Sequence, residues 1–244
     1  MVELVIPRRF CGPPESGNGG WVSGSVATHV VTSPDRPAVT VRLASPPPLE
    51  RPLTVLEEDR DTEPSGIRLL DGDHLVATAT GSPDLTDEVP GWATLAQAED
   101  AERRFEGLTE HPFPTCFSCG TARDAGDALC LRPGPLDDGT GRYATTWVPQ
   151  EADVPVVWAA LDCPGGWSAG IAGRPMVLGT MTARVHALPA TGEPHVVLAW
   201  SRGADRRKHH TGSALLTVEG RVLARAEATW VAVDPASVRP RDAS

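Results

Sequence analysis

Alternating apolar and polar residues predict most of the regular structure of this chain. Residues 38–43 alternate with a period of two, which is typical of a half-buried β-strand, and the pattern stops at three consecutive prolines. Residues 67–70 and 75–79 flank an Asp-Gly-Asp turn and therefore predict a β-hairpin. A second hairpin is predicted over residues 212–230. Shorter apolar runs predict further strands at residues 2–6, 53–58, 143–148, 177–185 and 196–200.

A Gly-Gly-Trp sequence occurs twice, at residues 19–21 and 165–167, and each copy is followed by small and apolar residues. This pattern is typical of a polar turn that enters a helix, where glycine lets a ligand or a neighbouring backbone approach closely. We therefore predict one helix from about residue 20 to 31 and another from about residue 164 to 172. The unpaired N–H groups at such a helix entry form a site for developing negative charge.

The segment between the two halves of the chain has a different pattern. Residues 92–105 are rich in Ala, Gln, Glu and Arg, with apolar residues at helical spacing, so a helix is predicted there. A polar, cysteine-bearing stretch follows. We interpret the segment as a connector that has some structure of its own.

The order of elements before the connector recurs after it. Gly20 and Gly166 are 146 residues apart, and the hairpin glycines Gly72 and Gly220 are 148 apart. A nearly constant offset is typical of an internal duplication. We therefore divide the chain into an N-terminal repeat, a connector with a helix and a Cys-x-x-Cys turn, a C-terminal repeat and a tail, at residues 1–83, 84–140, 141–234 and 235–244.

Composition and charge narrow the class of protein. The net charge of -10 over 244 residues argues against a general nucleic-acid or membrane-surface partner. No apolar run approaches the roughly 18 residues of a membrane span, and the N-terminus does not resemble a signal peptide. We therefore expect a soluble, cytoplasmic protein.

The predicted helix followed by an antiparallel meander resembles the hotdog fold of acyl-CoA thioesterases and dehydratases. The sequence Gly-Gly-Trp-Ser-Ala-Gly looks like the family's His-Gly-Gly helix entry, with Asn18 and Pro164 where histidine often stands. The resemblance covers residues 1–82 and 141–234. It implies an α+β, double-hotdog protein, in which two copies of a long helix are each wrapped by an antiparallel sheet in one chain.

The resemblance also implies a reaction. The substrate would be an acyl thioester of coenzyme A or of an acyl-carrier protein, with its acyl chain between the two central helices and no cofactor. The thioester carbonyl would accept a hydrogen bond from the N–H of Gly20 or Gly166. Asp162 would act as general base or nucleophile, and Asn18 would orient water or the carbonyl. Self-association into a homo-oligomer is left open.

A departure from the family pattern keeps other functions open. Family enzymes often carry a carboxylate inside the helix, whereas residues 21–31 and 167–172 contain no Asp or Glu. One alternative is a non-hydrolytic hotdog enzyme, such as a dehydratase or a cyclase of a biosynthetic pathway. Another is a protein that binds an acyl or aromatic ligand without turnover.

Each candidate residue also has a structural interpretation. Asp162 could be a helix cap, and Asn18 followed by glycine is a common turn pair. Trp21 and Trp167 belong to the core or line the acyl pocket, together with the neighbouring Gly19 and Gly165.

Five cysteines, with no sign of a disulfide framework, raise the question of metal or thiol chemistry. The pair Cys116 and Cys119, with Cys130 and His111, has part of a zinc-ligand pattern, but a second pair at matching spacing is missing. We favour a packed turn here and expect no metal. Cys163 is interpreted as a small buried residue, with a nucleophile as the alternative.

A dense basic cluster occupies residues 206–210, between two predicted strands. Such clusters are usually solvated turns. Hotdog enzymes often hold the coenzyme A phosphates with basic residues at strand ends, so the resemblance implies that Arg206 and Lys208 contact phosphate.

Overall fold

The structure is a computed structural model that describes residues 2–58, 66–234 and 238. These residues form three α-helices: α1 (Gly19–Ala27), α2 (Leu95–Glu102) and α3 (Val154–Ser168). The first strands are β1 (Val2–Val5), β2 (Ala38–Leu43), β3 (Pro52–Glu57), β4 (Gly66–Asp71), β5 (His74–Ser82) and β6 (Gly134–Pro135). The remaining strands are β7 (Tyr143–Trp147), β8 (Met176–Val185), β9 (His195–Asp205), β10 (Lys208–Thr217) and β11 (Val222–Ala232). Short 3-10 helices lie at Arg8–Phe10 and Glu106–Leu108.

All the strands belong to one antiparallel sheet with the order β1-β3-β4-β5-β2-β8-β11-β10-β9-β7-β6. The strands of the first half follow the order β1-β3-β4-β5-β2, and β7 to β11 repeat that order from the opposite edge. The halves meet where β2 pairs with β8. There Thr40 lies opposite Thr182, and their hydroxyl oxygens are 2.8 Å apart.

The two central helices pack directly against each other, with α1 on strands β2 and β5 and α3 on strands β8, β9 and β10. Glycine makes this contact possible. A Cβ added at Gly20 would lie 2.4 Å from the Cβ of Asp162, and one at Gly24 would lie 2.7 Å from the Cα of Pro155. Any side chain at these two positions would push the helices apart.

Helix α3 corrects the prediction of a helix at residues 164–172. It begins ten residues earlier, where the Asp153 carboxylate accepts a hydrogen bond from the Val156 N–H at 2.8 Å. Pro155 lies in the first turn, where a missing N–H costs nothing. The second Gly-Gly-Trp therefore ends a helix instead of starting one. Asp162 consequently lies inside α3, so the interpretation of Asp162 as the N-cap of this helix is wrong.

The other two helices are shorter than predicted. Helix α1 ends at Ala27, and residues 29 and 30 continue with tighter hydrogen bonds to Val26 and Ala27. Helix α2 lies within the predicted range and begins at a capping box formed by Thr94 and Gln97. No helix of the described residues is long and apolar enough to cross a bilayer.

The predicted hairpins are confirmed. Strands β4 and β5 join at Gly72, which has φ +56°, and strands β10 and β11 join at Gly220, which has φ +86°. The basic cluster covers the two-residue turn between β9 and β10, where Arg206 has φ +53°, and the first three residues of β10. The predicted strands are all present, although β9 extends five residues beyond its predicted end.

Candidate functional site

A cavity of about 330 Å³ lies at the N-terminal end of α1, against the middle of α3 and the start of β8. Its walls are mostly apolar, with side chains that include Leu43, Ile171, Met176, Leu178 and Trp230. The polar residues in its lining include Asn18, Asp162 and three cysteines. The resemblance implies an acyl chain between the central helices, but their glycine contact leaves no space there. The space for a ligand lies beside the helices.

Asp162 is the carboxylate at this cavity, and its side chain is held on one oxygen only. The residue is 2% exposed, and its Oδ2 accepts a hydrogen bond from the Gly20 N–H at 2.9 Å. The side-chain amide of Asn18 also points to Oδ2, at 3.4 Å. The other oxygen, Oδ1, is buried and has no hydrogen-bond partner among the described residues. A buried polar atom of this kind is a position where a ligand or water is expected.

Burial raises the pKa of Asp162 to about 8. The hydrogen bonds from Gly20 and Asn18 oppose this shift, and the neighbouring Cys116 adds to it. The carboxyl group is therefore mostly protonated at neutral pH. Because Oδ2 accepts both hydrogen bonds, the proton belongs on Oδ1, the oxygen that lacks a partner. Asp162 can donate a proton below pH 8 and accept one above it.

Asn18 caps α1 and also contacts the carboxyl group of Asp162; its predicted role of orienting water or the substrate carbonyl stays a prediction. As the N-cap of α1, its Oδ1 accepts a hydrogen bond from the Trp21 N–H at 2.8 Å. Its amide nitrogen lies 3.3 Å from the Ser118 hydroxyl oxygen and also contacts Asp162. The cap therefore fixes the amide that holds the carboxyl group.

The first two N–H groups of α1, those of Gly19 and Gly20, differ in whether they have a hydrogen-bond partner. The Gly20 N–H is taken by Asp162, so the prediction that it is free for a substrate oxygen is wrong. Gly19 also lines the cavity, and its N–H has no acceptor in the described part of the chain. A Cβ added at Gly19 would lie 2.8 Å from the Cβ of Leu178. The close fit requires glycine, and Gly19 brings the N-terminal end of α1, where backbone N–H groups are unpaired, to the cavity.

The second Gly-Gly pair does not form a donor site. Gly165 and Gly166 lie near the C-terminal end of α3, where carbonyl groups instead of N–H groups become free. The carbonyl of Gly165 accepts a hydrogen bond from the Ser168 hydroxyl at 2.8 Å. A Cβ at Gly166 would lie 3.0 Å from the ring of Trp230. Gly166 therefore cannot serve as the predicted helix-entry donor, and both glycines are packing positions.

The two tryptophans differ in their surroundings. Trp167 lines the cavity and packs edge-on against Phe105 and His111, with ring centroids 4.5 and 5.1 Å apart. Trp21 stacks on Phe10 at 4.1 Å and is not among the cavity-lining residues. The structure thus brings Trp167, but not Trp21, to the candidate site.

The basic cluster lies next to the cavity without lining it. Arg206 and Lys208 are exposed and are not among the cavity-lining residues. Lys208 is paired across the sheet with Val231, which does line the cavity. Contact between this cluster and a phosphate stays a prediction.

Three cysteines meet at the cavity, and they are a different set from the one that the sequence spacing suggests. The Sγ atoms of Cys116, Cys119 and Cys163 all lie within 4.8 Å of one another. Thiol hydrogen bonds from Cys119 and Cys163 lower the pKa of Cys116. Cys130 lies elsewhere, with its sulfur 3.8 Å from the Arg123 carbonyl oxygen.

His111 lines the cavity, but its ring is bound to backbone. Nε2 lies 3.0 Å from the Cys119 carbonyl oxygen, and Nδ1 accepts a hydrogen bond from the Phe113 N–H at 3.1 Å. Burial lowers the pKa of His111, which favours the neutral ring. Neither nitrogen is free to join the thiols or to act as a base.

Comparison with solved structures identifies the fold. A protein with a hotdog fold and unknown function from Alicyclobacillus acidocaldarius has a TM-score of 0.62 at 13% identity, over 96% of this chain and 93% of that one. The acyl-CoA thioesterase II TesB2 from Mycobacterium marinum has a TM-score of 0.58 at 11% identity, over 95% and 92%. The chain has the hotdog fold.

A solved dehydratase domain is also similar to this chain. The dehydratase domain of PpsC from Mycobacterium tuberculosis, solved in complex with C12:1-CoA, has a TM-score of 0.59 at 13% identity, over 95% of this chain and 92% of that one. No protein-family model matches the chain, and no curated protein matches it. The hotdog fold predicted from the sequence is confirmed. At these identities the likeness shows the fold alone.

Proposed function

We propose that this chain is a double-hotdog acyl-thioester hydrolase whose general base is Asp162. The observation that carries the proposal is the buried carboxyl group of Asp162, whose Oδ1 has no hydrogen-bond partner in the described residues, on a residue that lines an apolar cavity together with Gly19. A carboxyl group and a helix N-terminal donor at one apolar pocket are the two groups that thioester hydrolysis needs. An acyl thioester, of coenzyme A or of a carrier protein, supplies both an apolar chain and a polarised carbonyl.

The repeated strand order supports an origin by internal duplication, with one repeat on each side of the connector. Helix α3 carries Asp162, whereas α1, from Gly19 to Ala27, contains no carboxylate. Duplication followed by loss of one site accounts for this asymmetry. The active cleft is then the one at the N-terminal end of α1.

The proposed reaction uses the groups in a fixed order. The acyl chain lies along the apolar wall, and the thioester carbonyl oxygen accepts a hydrogen bond from the Gly19 N–H. Ionised Asp162 takes a proton from water as the water oxygen attacks the carbonyl carbon. The carbon–sulfur bond then breaks, and the departing thiolate takes up that proton. Gly20 and Asn18 position the carboxyl group through Oδ2.

A dehydratase is the second candidate, and a specific observation favours it. With its pKa at about 8, Asp162 is mostly protonated at neutral pH and can donate a proton to a departing hydroxyl group. The dehydratase-domain neighbour, which was solved with an acyl-CoA, has the same fold. In that case the substrate would be a 3-hydroxyacyl thioester.

One panel of substrates separates these candidates. Release of free thiol is measured with short, long and aromatic acyl-CoAs, and formation of the conjugated enoyl product is measured with 3-hydroxyacyl-CoAs. Thiol release with the saturated substrates supports the hydrolase. Enoyl formation without thiol release supports the dehydratase, and neither product, despite thermal stabilisation by the same panel, supports a binding protein.

A further inference from the structure

The three cysteines at the cavity converge from two separate parts of the chain. Cys116 and Cys119 belong to the connector, and Cys163 follows Asp162 on α3. The sulfur atoms of Cys116 and Cys163 are 3.6 Å apart, and all three sulfurs lie within 4.8 Å of one another. Tetrahedral zinc with bonds of about 2.3 Å to sulfur separates neighbouring sulfurs by about 3.8 Å. The three thiols therefore already form nearly one face of a zinc tetrahedron.

The turn that carries Cys116 and Cys119 is shaped around a sulfur. The backbone N–H groups of Ser118 and Cys119 donate to the Cys116 sulfur. The Gly120 N–H donates to the Cys116 carbonyl at 2.8 Å, and a Cβ at Gly120 would lie 2.5 Å from that oxygen. Only glycine fits there. N–H groups aimed at a sulfur stabilise a thiolate, which is the form of cysteine that binds metal.

This turn is fixed to α3 beside the third thiol. The Ser118 hydroxyl donates to the Ala159 carbonyl at 2.7 Å, and the Phe117 N–H donates to the Cys11 carbonyl at 2.7 Å. Phe117 itself is fully buried. The separation between the connector thiols and Cys163 is thus set by the fold, so a metal would find its ligands already assembled.

The thiols are surrounded by protein except on the side of the cavity. All three cysteines are buried, yet all three line the cavity, so an ion has a path to them. The Asn18 amide nitrogen lies 3.6 Å from the Cys116 sulfur and supplies a donor for the excess negative charge of three thiolates. A site with three protein ligands and one open position is the arrangement of catalytic zinc, whereas structural zinc has four.

We propose that Cys116, Cys119 and Cys163 bind one thiophilic divalent ion of the Zn²⁺ class, with its fourth position open to the cavity. This set replaces the one suggested by spacing, because Cys130 lies elsewhere and both ring nitrogens of His111 are bound to backbone groups. The open position would be filled by water or by a sulfur or oxygen atom of a ligand in the cavity. The proposal is independent of the hydrolase proposal, since metal binding is measured without substrate.

The test uses the full chain with Zn²⁺ and Co²⁺ as probes. Reduced protein is loaded with Zn²⁺, desalted and analysed for metal per chain, with the Cys119→Ser and Cys163→Ser variants beside it. Cys130→Ser is the matched control, because it removes a thiol outside the cluster. We expect one ion per chain in the wild type and the control, and at least a tenfold loss of bound metal in the two cluster variants.

A second measurement covers the case in which the cluster variants do not fold. Co²⁺ added to the reduced wild type should give tetrahedral ligand-field bands and a strong thiolate-to-cobalt charge-transfer band, and both should vanish when Zn²⁺ displaces it. The proposal is overturned if reduced wild-type protein retains no metal after desalting. It is equally overturned if Cys130→Ser loses as much metal as Cys163→Ser, or if Co²⁺ gives only the octahedral spectrum of oxygen ligands.

Discussion

The N–H of Gly20 on α1 donates to Asp162 Oδ2 on α3 across 2.9 Å, where the two central helices cross. The contact exists because Gly20 has no Cβ, which would otherwise lie 2.4 Å from the Cβ of Asp162. It leaves the second carboxyl oxygen directed away from every hydrogen-bond donor in the described residues. Gly20 thus both allows the close contact of the two helices and binds one carboxyl oxygen of Asp162, while the buried Oδ1 stays unpaired in the described residues.

The raised pKa of Asp162 predicts a pH-dependent cost in stability. The folded chain binds this proton up to about pH 8, whereas the unfolded chain releases it near pH 3.8. The contribution to stability is therefore fully present below about pH 4 and is lost as pH rises toward 8. In the wild type, unfolding free energy should fall across this window by up to several kcal/mol relative to Asp162→Asn. Denaturant melts of both proteins between pH 4 and 8 measure the difference, and parallel curves would contradict the raised pKa.

The same ionisation predicts the shape of the activity profile. If Asp162 is the general base, kcat/KM for thioester hydrolysis should rise tenfold per pH unit below about pH 8 and then level off. If Asp162 is a general acid, the rate should instead fall above that pH. A divalent ion on three thiolates leaves a net negative charge next to Asp162, so the direction of the shift is the same with metal bound. A profile that is flat from pH 6 to 9 would argue against both roles.

The helix crossing predicts a specific loss of stability. Gly24→Ala places a Cβ 2.7 Å from the Cα of Pro155, so the helices must separate, at a cost of about 1–3 kcal/mol or more. Gly173→Ala is the control, because nothing lies within 4 Å of its added Cβ. Thermal unfolding should show a lower Tm for the first variant and little change for the second. Equal melting temperatures would mean that the helices are not in close contact.

If the basic cluster contacts the coenzyme A phosphates, changing it should affect substrate binding but not the chemical step. Replacing Arg206 and Lys208 together by alanine should raise KM for an acyl-CoA by about two- to tenfold, because exposed charge contacts are each worth up to about 1 kcal/mol. The kcat should not change, since neither residue lines the cavity. The matched substrate is the acyl-pantetheine, which lacks the nucleotide phosphates and should show no effect. The same rise in KM with both substrates would contradict phosphate contact.

Periodicity in the sequence predicted the strands and hairpins because each alternating segment reflects one buried face of the sheet. The helix entry at Asn18 was predicted from local signals, since the cap and its glycines are contiguous. The start of α3 was missed, although Asp153 and Pro155 form a cap and first-turn proline that could have indicated it. The repeated Gly-Gly-Trp was the more conspicuous signal, but it marks a helix end in the second half.

The thiol cluster could not be predicted from spacing. Cys116 and Cys119 are close in sequence, but the third sulfur comes from α3, and its place depends on how the connector packs on that helix. Cys130 is nearer in sequence and points elsewhere. The unpaired oxygen of Asp162 could not be predicted from the sequence either, because it depends on the crossing of two helices that are distant in the chain.

The most direct test of Asp162 as the general base compares Asp162→Asn with Asp153→Asn. Both changes remove one carboxylate from α3, but Asp153 is an N-cap outside the cavity, and asparagine preserves a cap. We measure kcat for thiol release from the best acyl-CoA, with thermal melts as a check on folding. We expect a loss of about 10²–10⁴-fold for Asp162→Asn and less than about twofold for Asp153→Asn. A folded Asp162→Asn variant with wild-type turnover would show that Asp162 is not the general base.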